Sequence, residues 1–312
     1  MPPTPFGSEK VIKRHISEAD FNTFYVGFDQ DGLGGKFYRL ENLVELLEKV
    51  IPEFAFGHHE GTSVGITDLV PKLREAACSI YQIDSFKRCK EIYKSGGHVS
   101  DDDAEKSFLQ RGEFGELILH LLLRDFHNTV PLLSKIHFKD DRGSPVHGFD
   151  AVHVQPDNKS LWLGESKIYV DGKKGVKALT DDVKTHFKGD YLRNEFAIIS
   201  KKLKPFDNIP DKEYWLNLMD RNTRLQDIFD SVTIPLLCTY SSDNFTKYND
   251  ETLPGFITDY EKEMNDLKKY FDEHQDQRLA TNLNIILLLF PVKCKDELVS
   301  KMHEKLERRQ GI

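Results

Sequence analysis

Three side chains hold the clearest chemistry in this sequence of 312 residues: Asp150, Glu165 and Lys167. The runs Val146 to Gln155 and Leu161 to Val170 are apolar-rich and of strand length, and Pro156-Asp157-Asn158-Lys159 between them is a turn sequence. If the two strands pair symmetrically about Asp157-Asn158, Asp150 faces Glu165 across a hairpin. Two carboxylates with Cβ atoms about 5 Å apart repel each other unless something positive lies between them. Lys167, two residues after Glu165, shares its face of the strand. Val152, Val154, Leu161 and Leu163 make the rest of that face apolar. An apolar floor makes bare carboxylates costly, so the pattern predicts a divalent cation as counter-ion. Oxygen ligands of this kind suit Mg2+, with Mn2+ as a substitute.

The preceding segment offers a further acid. In Arg111-Gly112-Glu113-Phe114-Gly115-Glu116 the two glutamates are three residues apart, on neighbouring rows of one helix face. Glu116 is the preferred contributor to the site, because Leu117, Ile118 and Leu121 beside it are apolar; Glu113 is the reserve. The helix is expected to start at Ser100, whose side chain and the carboxylates of Asp101, Asp102 and Asp103 suit a helix N-terminus, and to end near Phe126.

These elements belong to a larger pattern. Strand-like runs at Leu132 to Phe138, Val146 to Gln155 and Leu161 to Val170 are followed by a helix from Val176 to Phe187. Further strands are expected at Phe196 to Ser200, Val232 to Tyr240 and Leu283 to Val292, with helices near Lys212 to Phe229, Thr258 to Glu273 and from Lys295. The order helix, three strands, helix, strand predicts an α/β fold with a mixed sheet. Upstream, Leu40 to Ile51 and Ile66 to Ile80 have helical period, Pro52 is expected to stop the first helix, and Phe24 to Phe28 reads as a short strand. The Gly-containing stretch Lys94 to Val99 divides a mainly helical accessory region, 1–98, from a chemistry-bearing domain, 99–312.

The net charge of -8 excludes a protein that coats nucleic acid over its whole surface. It leaves room for a local basic groove. Residues 159–204 hold eleven Lys or Arg against six Asp or Glu. Lys177, Lys184 and Lys188 fall near one line of the helix after Lys167, and with Lys173 and Lys174 they are candidate phosphate contacts. The apolar run Ile285 to Phe290 is far short of the ~18 residues of a membrane span. The start Met1-Pro2-Pro3-Thr4-Pro5 has no secretory pattern, and Cys78, Cys89, Cys238 and Cys294 form no CxxC pair. A cytoplasmic protein without a membrane partner is expected.

A helix bearing Glu, then Gly148-Phe149-Asp150, then Gly164-Glu165-Ser166-Lys167 on the next strand resembles the PD-(D/E)xK nuclease superfamily. Glu-Ser-Lys stands as the ExK element, and Phe149 replaces the proline of the name. The likeness covers roughly residues 105 to 240. More narrowly, Arg111 to Leu123, Gly148-Phe149-Asp150 and Leu161-Trp162-Leu163-Gly164-Glu165-Ser166-Lys167 are similar to the HamA family, nuclease subunits of the bacterial Hachiman antiphage system, over most of the chain. The resemblance implies a restriction-endonuclease-like core and Mg2+-dependent cleavage of DNA. By it, Asp150 and Glu165 would hold metal, Glu116 would complete the shell, and Lys167 would orient the attacking water. It also implies a bacterial cytoplasmic setting and a separate, HamB-like helicase subunit that controls cleavage; residues 1–98 are the candidate surface for it. No Gly-x4-Gly-Lys-Ser/Thr is present, so the helicase motor lies elsewhere.

Plainer alternatives stand beside these. Glu165 and Lys167 can form a surface ion pair of little energetic worth. His147 and His153 flank Asp150 yet read as structural histidines, and His58-His59-Glu60 reads as a loop. Glu116 and His120 imitate one helix of a di-iron site, but no second Glu-x-x-His accompanies them. The rival from another class is a catalytically inactive nucleic-acid-binding or scaffold subunit of a helicase complex.

Overall fold

The computed structural model describes residues 4–60, 66–81, 83, 112–133, 148–205, 209–276 and 283–311. The strands are β1 (Ile12–Ser17), β2 (Phe21–Val26), β3 (Phe28–Gln30), β4 (Lys36–Tyr38), β5 (Val130–Pro131), β6 (Ala151–Gln155), β7 (Ser160–Tyr169), β8 (Val232–Ser241) and β9 (Asn284–Val292). The helices are α1 (Leu40–Glu60), α2 (Leu69–Ile80), α3 (Glu113–His127), α4 (Gly172–His186), α5 (Gly189–Leu203), α6 (Lys212–Leu218), α7 (Leu225–Ser231), α8 (Asn244–Lys247), α9 (Pro254–His274) and α10 (Lys295–Gln310). Seven strands form one mixed sheet in the order β1-β2-β9-β8-β7-β6-β5, and β3 with β4 forms a separate hairpin. The α/β class expected from the sequence is the class observed.

Central strands read as unbroken buried runs because helices cover both faces. β8 is buried from Val232 to Tyr240, and β9 from Ile286 to Val292. β7 pairs antiparallel with β6 and parallel with β8. α3 lies on one face of β7: a Cβ on Gly164 would meet Leu119 at 2.8 Å, and one on Gly115 would meet the Ser166 hydroxyl at 3.2 Å. α4 lies on the other face, where a Cβ on Gly175 would strike the Cys238 sulfur at 2.5 Å and one on Gly172 the Tyr240 ring at 2.9 Å. These close approaches fix α3 against β7 and α4 against the neighbouring β8.

Several expectations are corrected. The N-terminal region, helical in α1 and α2, also contributes strands that were not expected to join the sheet: β2 pairs parallel with β9 and carries β1 at its edge. The sheet therefore runs across the division drawn at 98/99. All six residues of β2 are buried, which is why its run reads as a strand. α1 does not stop at Pro52 but continues to Glu60, with its break at Gly57, whose φ of 81° is open to glycine. Phe196 to Ser200 is helix: Leu192, Phe196, Ile199 and Leu203 of α5 are buried at a helical period that a five-residue apolar run conceals. The single helix expected over Lys212 to Phe229 is two, α6 and α7. The helix start at Ser100, the stretch Lys94 to Val99, His147 and most of the run Leu132 to Phe138 lie outside the described residues.

Candidate active site

The hairpin pairs in the expected register: Ala151 faces Gly164, Val152 faces Leu163 and Gln155 faces Ser160. One step further, the ladder brings Asp150 beside Glu165. β6 begins only at Ala151, so the edge of β7 takes an acceptor from a side chain instead. The Asp150 carboxylate accepts from the Ser166 backbone N–H and the Ser166 hydroxyl, both at 2.8 Å. Between β7 and β8 the ladder skips from Trp162–Thr233 to Glu165–Leu236, around Pro235, which has no N–H to donate. Glu165 thus follows a point where the strand is packed on Pro235 and Leu119 rather than hydrogen-bonded.

Glu165 is 2% exposed. Burial pushes its carboxyl up to about 8; the hydrogen bond from His186 works against that, and the charge of Asp150 adds to it. His186 of α4 meets Glu165 Oε1 through Nδ1 at 2.7 Å, and this bond pushes the imidazole up as well. Lys167 Nζ lies 2.5 Å from Asp182 Oδ2, also on α4. Burial opposes the ammonium charge, but Asp182, Asp150 and Glu165 together prevail and raise Lys167 above its ordinary value. The surface pair of Glu165 with Lys167 considered above does not form, since each is taken by α4.

α5 adds a wall. Tyr191 stacks on His186 with ring centroids 4.7 Å apart, and Phe149 meets both rings edge-on. Burial, then the charges of Glu195, Glu165, Asp182 and Asp150, push the Tyr191 phenol up to about 12. Glu195 is buried beside Gly148, where a Cβ would meet its Oε2 at 3.0 Å. Sequence reasoning missed Asp182, His186, Tyr191 and Glu195. The available signal was acid and imidazole four residues apart on α4, bordering the buried row Val176, Leu179 and Val183.

Asp150, Glu165 and Lys167 are brought together. Glu116 is half-buried on α3 next to Gly115, which packs on Ser166, the residue bonded to Asp150, and Glu113 lies one turn earlier. Among the described residues no group of three or more His, Cys, Asp or Glu is arranged to hold a metal. Asp150 and Glu165 nonetheless fit magnesium, which takes one or two carboxylates and completes its shell with water and phosphate. A buried carboxyl raised to about 8 beside a second acid has the charge deficit that a cation would relieve.

Of the basic candidates, Lys173 and Lys174 are exposed in the first turn of α4 and Lys188 is exposed just before α5. Lys177 lies 2.5 Å from both oxygens of Asp181, and Lys184 is 3.8 Å from Asp181. The stripe therefore carries an acid at its centre that the line drawn through the lysines passed over.

The model of the HamA family matches residues 6–306, nearly the whole chain. The chain belongs to the HamA family. HamA proteins are components of the Hachiman antiviral defence system, and membership points to a defence role for this chain. None of the curated proteins matches it. Among the described residues of this HamA-family chain, no helix is long and apolar enough to cross a membrane.

Proposed function

We propose that this chain is the nuclease effector of its defence system, a Mg2+-dependent deoxyribonuclease with a PD-(D/E)xK-type site, governed by a partner helicase. The observation that carries the reading is the meeting of Asp150, Glu165 and Lys167 at the end of one hairpin, with burial raising Glu165 to about 8. Asp150 and Glu165 would hold the cation. Bound there, magnesium would supply a Lewis acid for the phosphate and a lowered pKa for water. Lys167, kept charged by Asp182, would orient the attacking water and offset charge that grows on the phosphate oxygens. The apolar floor around Val152, Leu161 and Leu163 keeps water scarce, which strengthens each of these contacts. Lys173, Lys174 and Lys188 would grip DNA phosphates without reading sequence.

Purified protein, alone and with its helicase, incubated with linear and supercoiled DNA in Mg2+ or chelator, tests this. Cleavage that needs Mg2+ and disappears in Glu165→Ala supports the reading. A wild type and Glu165→Ala that behave alike in every condition remove it. A second reading, a non-catalytic DNA-binding or scaffold subunit, expects that identity.

A further inference from the structure

α4 presents two side chains whose spacing matches the two working residues of β7. Glu165 and Lys167 are two apart on a strand, about 6.6 Å at the usual rise. Asp182 and His186 are four apart on a helix, about 6 Å along its axis. α4 runs back along β7, so the order reverses and two rungs form: Lys167 with Asp182 at 2.5 Å, and Glu165 with His186 at 2.7 Å. Each rung joins an acid to a base. Neither rung can slide alone, because Gly172 and Gly175 seat α4 against Tyr240 and Cys238 without room for a Cβ.

The rungs also keep apart two groups that would otherwise neutralise each other. Glu165 and Lys167 share a strand face, yet the acid bonds to an imidazole and the ammonium to a different acid. A glutamate has three rotatable side-chain bonds, and a carboxylate that is to hold a cation must have its orientation set from outside. His186 is equipped for this. Its own ring is held by the Tyr191 stack, at an interplanar angle of 11°, and by Phe149 at 88°.

We infer that His186 and Asp182 are positioning residues of the proposed nuclease site. His186 fixes Glu165 Oε1 so that the carboxylate is turned to the cation it shares with Asp150, and Asp182 holds the Lys167 ammonium away from that carboxylate. The inference rests on the nuclease reading, and its test separates the two. Mn2+ binding to the full-length protein, without DNA, is measured by calorimetry and by electron paramagnetic resonance for wild type, Glu165→Ala, His186→Phe and His186→Gln. His186→Phe keeps an aromatic ring for Tyr191 but no donor; it is expected to weaken Mn2+ binding by about 10- to 100-fold. His186→Gln keeps an N–H donor and is expected to recover most of the loss, which packing alone would not produce. In Asp182→Asn the freed Lys167 ammonium can pair with Glu165, so Mn2+ binding should weaken and kcat on DNA should fall; an Asp182→Asn protein that binds Mn2+ and cleaves as wild type does overturns the Asp182 part. If Glu165→Ala loses Mn2+ and both His186 variants bind as wild type, the positioning role is overturned and the site reading survives. If Glu165→Ala binds Mn2+ as wild type does, the site reading falls and this inference with it.

Discussion

β6 carries a buried polar cluster on one face and borders another at its start, and the two are balanced differently. In the first, Glu53 of α1 accepts from Arg124 Nε at 2.5 Å and meets His120 at 3.2 Å; His120 reaches His153 of β6, which reaches the Thr129 hydroxyl at 2.9 Å. Burial would raise Glu53, but the His120 and Arg124 hydrogen bonds outweigh it and hold the carboxyl far below its usual range. Burial pushes His120 and His153 below the ordinary imidazole range, against the pull of Glu53. One carboxylate thus answers one guanidinium, and His153 is the structural histidine that its neighbours suggested. In the second cluster Asp150, Glu165 and Asp182 are gathered with Lys167 and His186, and Glu165 is pushed up rather than down. Structural networks close their charge; a site that leaves acid in excess at the cost of burial is poised for a ligand.

The largest effects should separate the clusters by stability. Glu53→Ala leaves the buried Arg124 without its carboxylate and is expected to cost about 3–5 kcal/mol in chemical denaturation, with Mn2+ binding unchanged. Glu165→Gln should do the reverse: abolish Mn2+ binding while leaving the metal-free protein as stable as wild type near neutral pH, or more so. Equal destabilisation by both substitutions would erase the contrast.

A pH series sharpens it. Glu165 has a folded pKa raised from 4.5 to about 8, so its favourable contribution is complete below 4.5 and is lost as pH rises through 8. Glu53 is lowered, so its contribution is present above the usual carboxylate range and is lost as pH falls. In chelator, the stability gained by Glu165→Gln over wild type should therefore open between pH 5 and pH 9, as judged from the pKa window, reaching on the order of 1–3 kcal/mol. Saturating Mn2+ should narrow the gap by stabilising wild type alone. A gap independent of pH would mean that the Glu165 carboxyl is not perturbed in the folded protein.

The second cluster was half legible in the sequence. Asp150, Glu165 and Lys167 could be aligned because a hairpin is local: a turn sequence and a period of two fix which residues face each other. Asp182 and His186 were hidden because the partner of a helix face depends on which strand it covers, and that follows only from the sheet order. Glu116 was placed by its apolar neighbours, which are buried in α3, the helix that packs on Ser166 through Gly115. The pairing of the N-terminal strands was hidden for the same reason as Asp182 and His186. β2 pairs with β9 from the far end of the chain, Phe21 beside Leu287, and nothing in either segment signals a partner so distant. The helix α5, read as a strand at its apolar run, carried Tyr191 and Glu195 out of view with it.

The smallest expected effect concerns the lysines, where the same contrast between closed and open charge recurs on one helix. Lys177 and Lys184 share Asp181, while Lys173 and Lys174 make no ion pair among the described residues. A lysine already answered by a carboxylate gains little on meeting a phosphate, since it must first give up that partner, whereas an exposed one releases a condensed counter-ion outright. Replacing both Lys173 and Lys174 by Ala should therefore lower the slope of log affinity for duplex DNA against log salt by about 2, at roughly 0.9 per phosphate contact. Lys177→Ala should change it by less than half of that, and Asp181→Asn, which frees Lys177 and Lys184, should steepen it. The measurement is a salt titration of DNA binding with Glu165→Gln as background, so that cleavage does not interfere. Equal slopes for the two sets of lysines would show that the Asp181 pairs do not persist on DNA, and would restore the single basic stripe that the sequence suggested.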